Sequence, residues 1–546
     1  MRPKLLSGFA IFFVLVSVAL LAVLFGPSLL VERNEGAGPD YDETPTTVTA
    51  ANPIFQENAQ PGTTSWEIPS DRAATIQIQA YASANSVLPG QKLTLYVSTL
   101  KPGIAYTIDI YRLGWYGGDG GRLLLAVPNQ SGQAQGYYDA AAHRLVGCLS
   151  CHVDAATGLV EANWRASYTF TVPADWTSGI YLAKETDVNG WQTYAVFDIR
   201  DTSHSHYLVV TPDLTYETSN IWGGYNLYEA YAPVGLAHLQ RAVKVSFDRP
   251  YSDGYGASQV LTLEIDAIRW LERQGYDLSY MSDIDVHREP ALLLQHRAYI
   301  SLGHDEYWTK EMRDAVEAAR GQGVGLAFLE ATASYWQARL EPDGAGLPFR
   351  TVVCYKVLTS DHDLSADPMF GKDNTRVTTL WRDPFLARPE NALVGIMYSS
   401  GLINKPLTYR WQVDAQAKSS LLNGTGLQPG HTYGCDLVGY EWDRVFNNGF
   451  TPAGLQVLGT SSTVNDSNSK DNSNTTYYIA RSGAMVFATG SVYWTTALDN
   501  FRLFPNPGCP GSNYEVPGMQ KLLANVMNAL IVKHSPANLV FVPTNS

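Results

Sequence analysis

The chain has 546 residues, 45% hydrophobic, 12% aromatic and 16% charged. That length exceeds one hydrophobic core, which stops growing near about 250–300 residues, so two or three domains are expected. A formal net charge of -14, without a cluster of Lys and Arg, argues against nucleic-acid binding, because neutralising phosphates needs grouped cations.

In chain order, Arg2 and Lys4 precede an uncharged apolar run over 5–31. A helix of about 20 apolar residues crosses a bilayer, and the leading positive charges would keep the N-terminus in the cytoplasm and the remainder outside. A cleaved signal peptide competes, but no clear small-x-small site follows Phe25. Residues 1–31 are therefore expected to be a transmembrane anchor or signal peptide. The expected location is the cell membrane, single-pass, with the large C-terminal part outside the cytoplasm, or a secreted form.

Residues 32–72 are rich in Pro, Thr, Gly and Asn and lack a period, which predicts a flexible linker. Over 73–200, segments such as "QKLTLYVST" and "WQTYAVFDIR" alternate apolar and polar residues between turn signals. They predict an immunoglobulin-like β-sandwich. Over 201–535 the period changes. "QVLTLEIDAIRWLERQG" places Leu261, Ile265, Ile268 and Leu271 on one helical face and ends at Gly275. "AYISLG" and "VGLAFLEAT" read as strands flanking the helix "TKEMRDAVEAARGQG", an alternation that predicts a mostly parallel sheet with helices on its faces. The stretch 340–480 reads as less regular, with the polar run "VNDSNSKDNSN" as a solvated loop. Residues 536–546 form a tail.

The stretch "AYISLGHDEYW" ends an apolar strand in His304, Asp305 and Glu306. Open parallel sheets bind ligands outside the carboxyl ends of their strands. The acids could instead favour the coming helix N-terminus, where Thr309 is the expected N-cap, but that leaves His304 unexplained. A second constellation, "GCLSCHVD", places Cys148, Cys151 and His152 in the C-x-x-C-H pattern of c-type haem attachment. A disulfide is the alternative in an oxidising compartment. With five cysteines, the others being Cys354, Cys435 and Cys509, at least one is unpaired within the chain.

The segments "FDRPYSDG", "EIDAIRWLERQGYDLSYMSDIDVH", "YISLGHDEYWTKEMRDAVEAARGQGVGLAFLEATASYWQARL" and "GYEWD" together resemble the N,N-dimethylformamidase large (beta) subunit family over most of 205–535. "YRLGWYGGDGGR" is similar to a motif of the sandwich that precedes that region. The resemblance implies a three-layer α/β domain of the glutamine-amidotransferase-like kind and hydrolysis of a small linear amide at a mononuclear iron. It implies Tyr181, Tyr225 and Glu306 as iron ligands, with Tyr228 as rival to Tyr225. It also implies His304 and Asp305 behind the ligands and Glu441 as acid–base residue.

Thr332 stands where the family tends to carry Asn, replacing an amide by a hydroxyl. The chemistry is coherent, because hard phenolate and carboxylate oxygens suit oxidised iron, which acts as a Lewis acid without a redox step. The family enzyme works with a small second subunit, so a second subunit or a homo-oligomer is left open beside a small amide-type substrate. Two other classes stay open from the residues: a noncatalytic membrane-anchored surface module binding a ligand such as a glycan, and a c-type haem carrier.

Overall fold

The computed structural model describes residues 52–231, 240–402, 409–504, 509 and 513–535. The expected anchor at 1–31 and the tail at 536–546 lie outside the described residues. Among those described, no helix is long and apolar enough to cross a membrane.

Alternating residues between Ile78 and Ile199 build two sheets. Ile78–Ala82, Lys92–Thr99 and Tyr168–Thr171 form one, while Ser86–Val87, Gln192–Ile199, Gly179–Asp187, Ala105–Leu113 and Gly121–Ser131 form the other, each in that order. Every second residue points inward, so Leu93, Leu95, Ile108, Ile110 and Phe197 meet in one core. Each such fully buried side chain contributes about 1.5–3 kcal/mol.

The second region is organised by a seven-stranded sheet in the order Leu278–Ser282, Tyr207–Thr211, Ala298–Gly303, Gly325–Glu330, Met485–Ala488, Lys470–Ile479, Gln456–Val464. The first five strands pair in parallel and the last two antiparallel. Along Tyr207–Thr211, Tyr207 and Val209 face the core that holds the helix Pro517–Leu530, whereas Leu208 and Val210 face the core that holds Lys310–Gly321. That two-residue period explains why these strands read as continuous apolar runs.

The expectation of a three-layer α/β domain on a mostly parallel, glutamine-amidotransferase-like sheet is corrected here, while the expected transmembrane helix falls outside the described residues. The chain is mostly β. Among the described residues the strands fall into eight sheets, the largest of them mixed, and only three helices reach nine residues. The physical reason is local. Helical periodicity holds at Ile265–Arg273 and Lys310–Gly321, but the stretch beyond Glu330 pairs largely as antiparallel ladders.

The polar run at 464–474 is itself a hairpin rather than a solvated loop. Gln456–Val464 pairs with Lys470–Ile479, and Asn465 Oδ1 accepts from the amides of Ser467 and Ser469 at the turn. Within the segment read as a linker, Pro53–Asn58 is a helix capped by Asn52, and Ile54, Trp66 and Ile68 are buried in the core.

One buried ion pair ties the two regions. Arg112, on Ala105–Leu113, donates from Nη1 and Nη2 to the two carboxylate oxygens of Glu272 at 2.9 and 2.8 Å. Both side chains are fully buried, and the remaining guanidinium hydrogens reach the carbonyls of Ser178 and Leu113. Tyr280 Oη also donates to Glu272. Such an arrangement offsets the desolvation of both charges.

Candidate functional site

The strand Ala298–Gly303 stops at Gly303, whose φ of +73° and close approach to Glu264 exclude a side chain; a Cβ there would lie 2.8 Å from Glu264 Cγ. The chain then turns through His304, Asp305 and Glu306 into the short strand Tyr307–Thr309. Backbone bonds fix the turn: Ser334 N donates to Asp305 O, Tyr335 N and Trp336 N donate to Glu306 O, and Glu306 N donates to Thr215 Oγ1 at 3.0 Å. Thr309 caps the helix Lys310–Gly321 as expected, accepting from Met312 N at 3.2 Å. Asp305 turns inward, accepting from Ser301 Oγ at 3.1 Å, and its amide donates to the Glu330 carboxylate. Burial pushes its carboxyl up to about 7.

His304, Glu306 and Glu441 come together, each at most 9% exposed. His304 Nε2 lies 3.2 Å from Glu441 Oε2 and 3.6 Å from Glu306 Oε2, and His304 Nδ1 is 3.0 Å from Tyr440 Oη. Thr332 Oγ1 donates to Glu441 Oε2 at 2.5 Å, and Thr332 N donates to Asp443 Oδ1 at 2.8 Å. Thr332 holds a φ of +63°, uncommon for a β-branched residue.

Two carboxylates share one imidazole, and their affinities for protons diverge. Burial works to raise Glu441, but the close approach and charge of His304, with the Thr332 hydroxyl, hold it below the usual carboxylate range. Burial raises Glu306 against His304, and the neighbouring Glu441 adds to the rise. Burial opposes protonation of His304, yet the close approach of the Glu441 carboxylate and the charges of Glu441 and Glu306 outweigh it and raise the imidazole above its usual value.

A tyrosine reaches this cluster along a separate path. Arg249, fully buried, donates to Glu217 Oε1 and to the carbonyls of Asn220, Trp222 and Tyr225, pinning the segment after the helix Asp213–Ser219. Asn226 Oδ1 then accepts from the amides of Tyr228 and Glu229 at 2.8 and 2.7 Å, a side-chain-closed turn. The turn buries Tyr225 in the apolar core, its hydroxyl without a partner among the described residues. It brings Tyr228 Oη to donate to Glu306 Oε2 at 2.6 Å, and Tyr307 Oη donates to Tyr228 Oη at 2.7 Å. Tyr181 lies in the sandwich core, its hydroxyl donating to Thr177 O at 2.6 Å. Of the tyrosines weighed from the sequence, Tyr228 is thus the one that contacts Glu306.

Two contributors escaped sequence reasoning. Tyr440 precedes Glu441 in "GYEWD", where no local pattern marks it. Lys356 closes the apolar run "TVVCYK", where a lone cation at a strand end is a readable signal. Its Nζ lies 3.5 Å over the Tyr228 ring, 5.1 Å from that of Trp336 and 5.3 Å from that of Tyr307. Burial pushes its ammonium down to about 8 against the pull of Glu306.

The donor set tests the implied iron. Glu306 and the Tyr228 phenol, with the Tyr307 phenol behind it, offer hard oxygens in contact, the type that oxidised iron prefers. Among the described residues the only three His, Cys, Asp or Glu donors within 4.8 Å of one another are Cys435, Asp436 and Cys509, and those cysteines are joined to each other. Glu306 and Tyr228 thus bring a carboxylate and a phenol oxygen together, a donor pair of the hard type such an ion would take. Elsewhere, Cys148 and Cys151 form a disulfide, which leaves neither sulfur for thioether attachment of a haem, and His152 Nδ1 lies 3.1 Å from Glu161 Oε2.

A family profile described as N,N-dimethylformamidase beta subunit-like, C-terminal, matches residues 107–510. The N,N-dimethylformamidase beta subunit of Alcaligenes sp. is 24% identical over 234 residues, 36% of this chain and 30% of that protein, so the chain spans under a third of that relative's length. Likeness to solved structures is slight. Spo0M, a sporulation control protein from Bacillus subtilis, is 10% identical with a TM-score of 0.13, over 22% of this chain and 47% of that one. A cycloisomaltooligosaccharide glucanotransferase of Paenibacillus sp. is 11% identical with a TM-score of 0.15, over 54% and 36%. The profile match covers more than half of the chain, and the chain belongs to the N,N-dimethylformamidase beta subunit-like, C-terminal family.

Proposed function

We propose that the chain is a hydrolase of an amide or related C–N bond, working at His304, Glu306 and Glu441. The observation that carries this reading is the imidazole shared by two carboxylates, 3.2 Å from Glu441 and 3.6 Å from Glu306. Environments that drive paired carboxyls apart divide acid and base roles. Glu441, kept ionised, takes a proton from the attacking water and passes it to the leaving nitrogen. The Thr332 hydroxyl orients Glu441, and Tyr440 orients His304 from its other nitrogen. His304 in turn balances the charge of both carboxylates as protons move.

Glu306 and Tyr228 are the residues proposed to hold iron. When bound, an oxidised iron supplies Lewis acidity toward the amide carbonyl and makes water more acidic. Lys356 lies against the Tyr228 ring and keeps positive charge beside Glu306. The two disulfides support a chain that folds outside the reducing cytoplasm. The matched relative is named a beta subunit, which supports a partner subunit for this chain as well.

The test is metal analysis of the purified full-length protein together with amine release from a panel of small linear amides. The expected result is about one iron per chain, lost with Glu306→Gln, and amine release from at least one amide. A protein that binds no iron, or that releases amine independently of Glu306, contradicts the reading.

A further inference from the structure

The segment 331–335 links the strands Gly325–Glu330 and Trp336–Glu341 and runs between the two carboxylate-bearing parts of the cluster. Toward Glu306 it is held through main-chain carbonyls. Ser334 N donates to Asp305 O at 2.9 Å, and Tyr335 N and Trp336 N donate to Glu306 O at 2.8 and 3.0 Å. Every residue carries such a carbonyl, so this end does not depend on side-chain identity.

Toward Glu441 the bonds end on side chains instead. Thr332 N donates to Asp443 Oδ1 at 2.8 Å, and Thr332 Oγ1 donates to Glu441 Oε2 at 2.5 Å. Glu441 and Asp443 stand two residues apart on the strand Glu441–Arg444 and so share one face, while Trp442 between them enters the core on the other side. The strand itself is fixed separately: it pairs with Met397–Gly401, and Asp443 N donates to Gly490 O at 3.0 Å. Asp443 is therefore a rigidly mounted acceptor, 1% exposed, beside the residue read as the general base.

What it holds is a backbone that would not hold itself. At a φ of +63°, Thr332 occupies a region that β-branched residues avoid. In that conformation its amide and its hydroxyl both address the one strand.

We propose that Asp443 is a positioning residue for Glu441, a role that rests on the amide-hydrolase reading. By accepting from Thr332 N it keeps the Thr332 hydroxyl on Glu441 Oε2 and so sets the direction in which Glu441 meets the attacking water. Without that acceptor the buried Thr332 amide is left unpaired, the segment relaxes toward negative φ, and the hydroxyl leaves Glu441. Burial pushes the Asp443 carboxyl up to about 7, so an uncharged amide of the same shape is a close substitute.

The experiment compares Asp443→Asn, Asp443→Leu and Asp443→Ser in the full-length protein, each alone and combined with Thr332→Val. Methylamine release from N-methylformamide and N-methylacetamide is measured beside hydrogen exchange over 331–335. Asp443→Asn should keep kcat within about threefold, whereas Leu and Ser should lower it by about 10- to 100-fold with KM held within about twofold. In the Thr332→Val background the same changes should add less than about twofold, because the hydroxyl they act through is already gone. Exchange over 331–335 should quicken with Leu and Ser and stay unchanged with Asn. Unchanged kcat or unchanged exchange with Leu and Ser, an equal loss with Asn, or a full loss in the Thr332→Val background would overturn the role. The Ser variant decides the matter where Leu does not fold. Quickened exchange in a protein that releases no methylamine even when unaltered would overturn the hydrolase reading, and the role with it, while leaving the bond to Thr332 in place.

Discussion

Two buried charged clusters of this molecule have opposite characters. At Arg112 and Glu272, one cation meets one carboxylate through two short bonds, and the surrounding carbonyls and Tyr280 use the remaining donors and acceptors. At His304, two carboxylates converge on one imidazole, a lysine sits over aromatic rings, and a threonine holds a left-handed backbone. The first arrangement is what a scaffold needs, since every charge is answered. The second leaves protons free to move among groups of unequal affinity, which is what acid–base chemistry needs.

The contrast breaks most visibly by removing one carboxylate from each cluster. Glu272→Gln leaves the Arg112 charge buried without its counterion, and it should destabilise the protein by about 3 kcal/mol or more, read as a lowered midpoint in urea. Glu306→Gln should do the reverse. The Glu306 carboxyl is raised by burial and by Glu441, so its contribution to stability is fully present below the usual carboxylate value and lost as pH rises through the raised one. In chelator-treated protein at pH 7–8, Glu306→Gln should therefore raise stability by about 1 kcal/mol, and the gain should vanish below about pH 4. Thermal melts across pH check both the size and the sign. The smallest effect is expected at Thr332. Asn tolerates a positive φ better than a β-branched residue, so Thr332→Asn should stabilise by about 0.5 kcal/mol while keeping a donor beside Glu441.

The same contrast marks what could be read from the sequence. Gly303 followed by His304, Asp305 and Glu306 was legible as a polar strand end, and Thr309 as an N-cap, because those signals span a few residues. The helices Ile265–Arg273 and Lys310–Gly321 were legible from their period. Which of Tyr225 and Tyr228 contacts Glu306 was not, since it depends on how the Asn226 side chain closes the turn from Asn226 to Glu229. Tyr440 meets His304 across 136 residues, and Lys356 meets Tyr228 across the fold, so no local pattern announces either. The strands around 464–474 were hidden for another reason. Their polar residues satisfy one another across a hairpin, as Asn474 Nδ2 does by donating to Thr460 Oγ1, and polarity there reads as loop.

The most direct test is Glu441→Gln, assayed for amine release and for thermal unfolding on the same preparation of full-length protein. Loss of a positioned general base should cut turnover by about 10²–10⁴-fold with the melting temperature held or raised. Turnover that survives the substitution, or turnover that falls only in step with a falling melting temperature, would contradict the assignment of the His304 cluster as the working site.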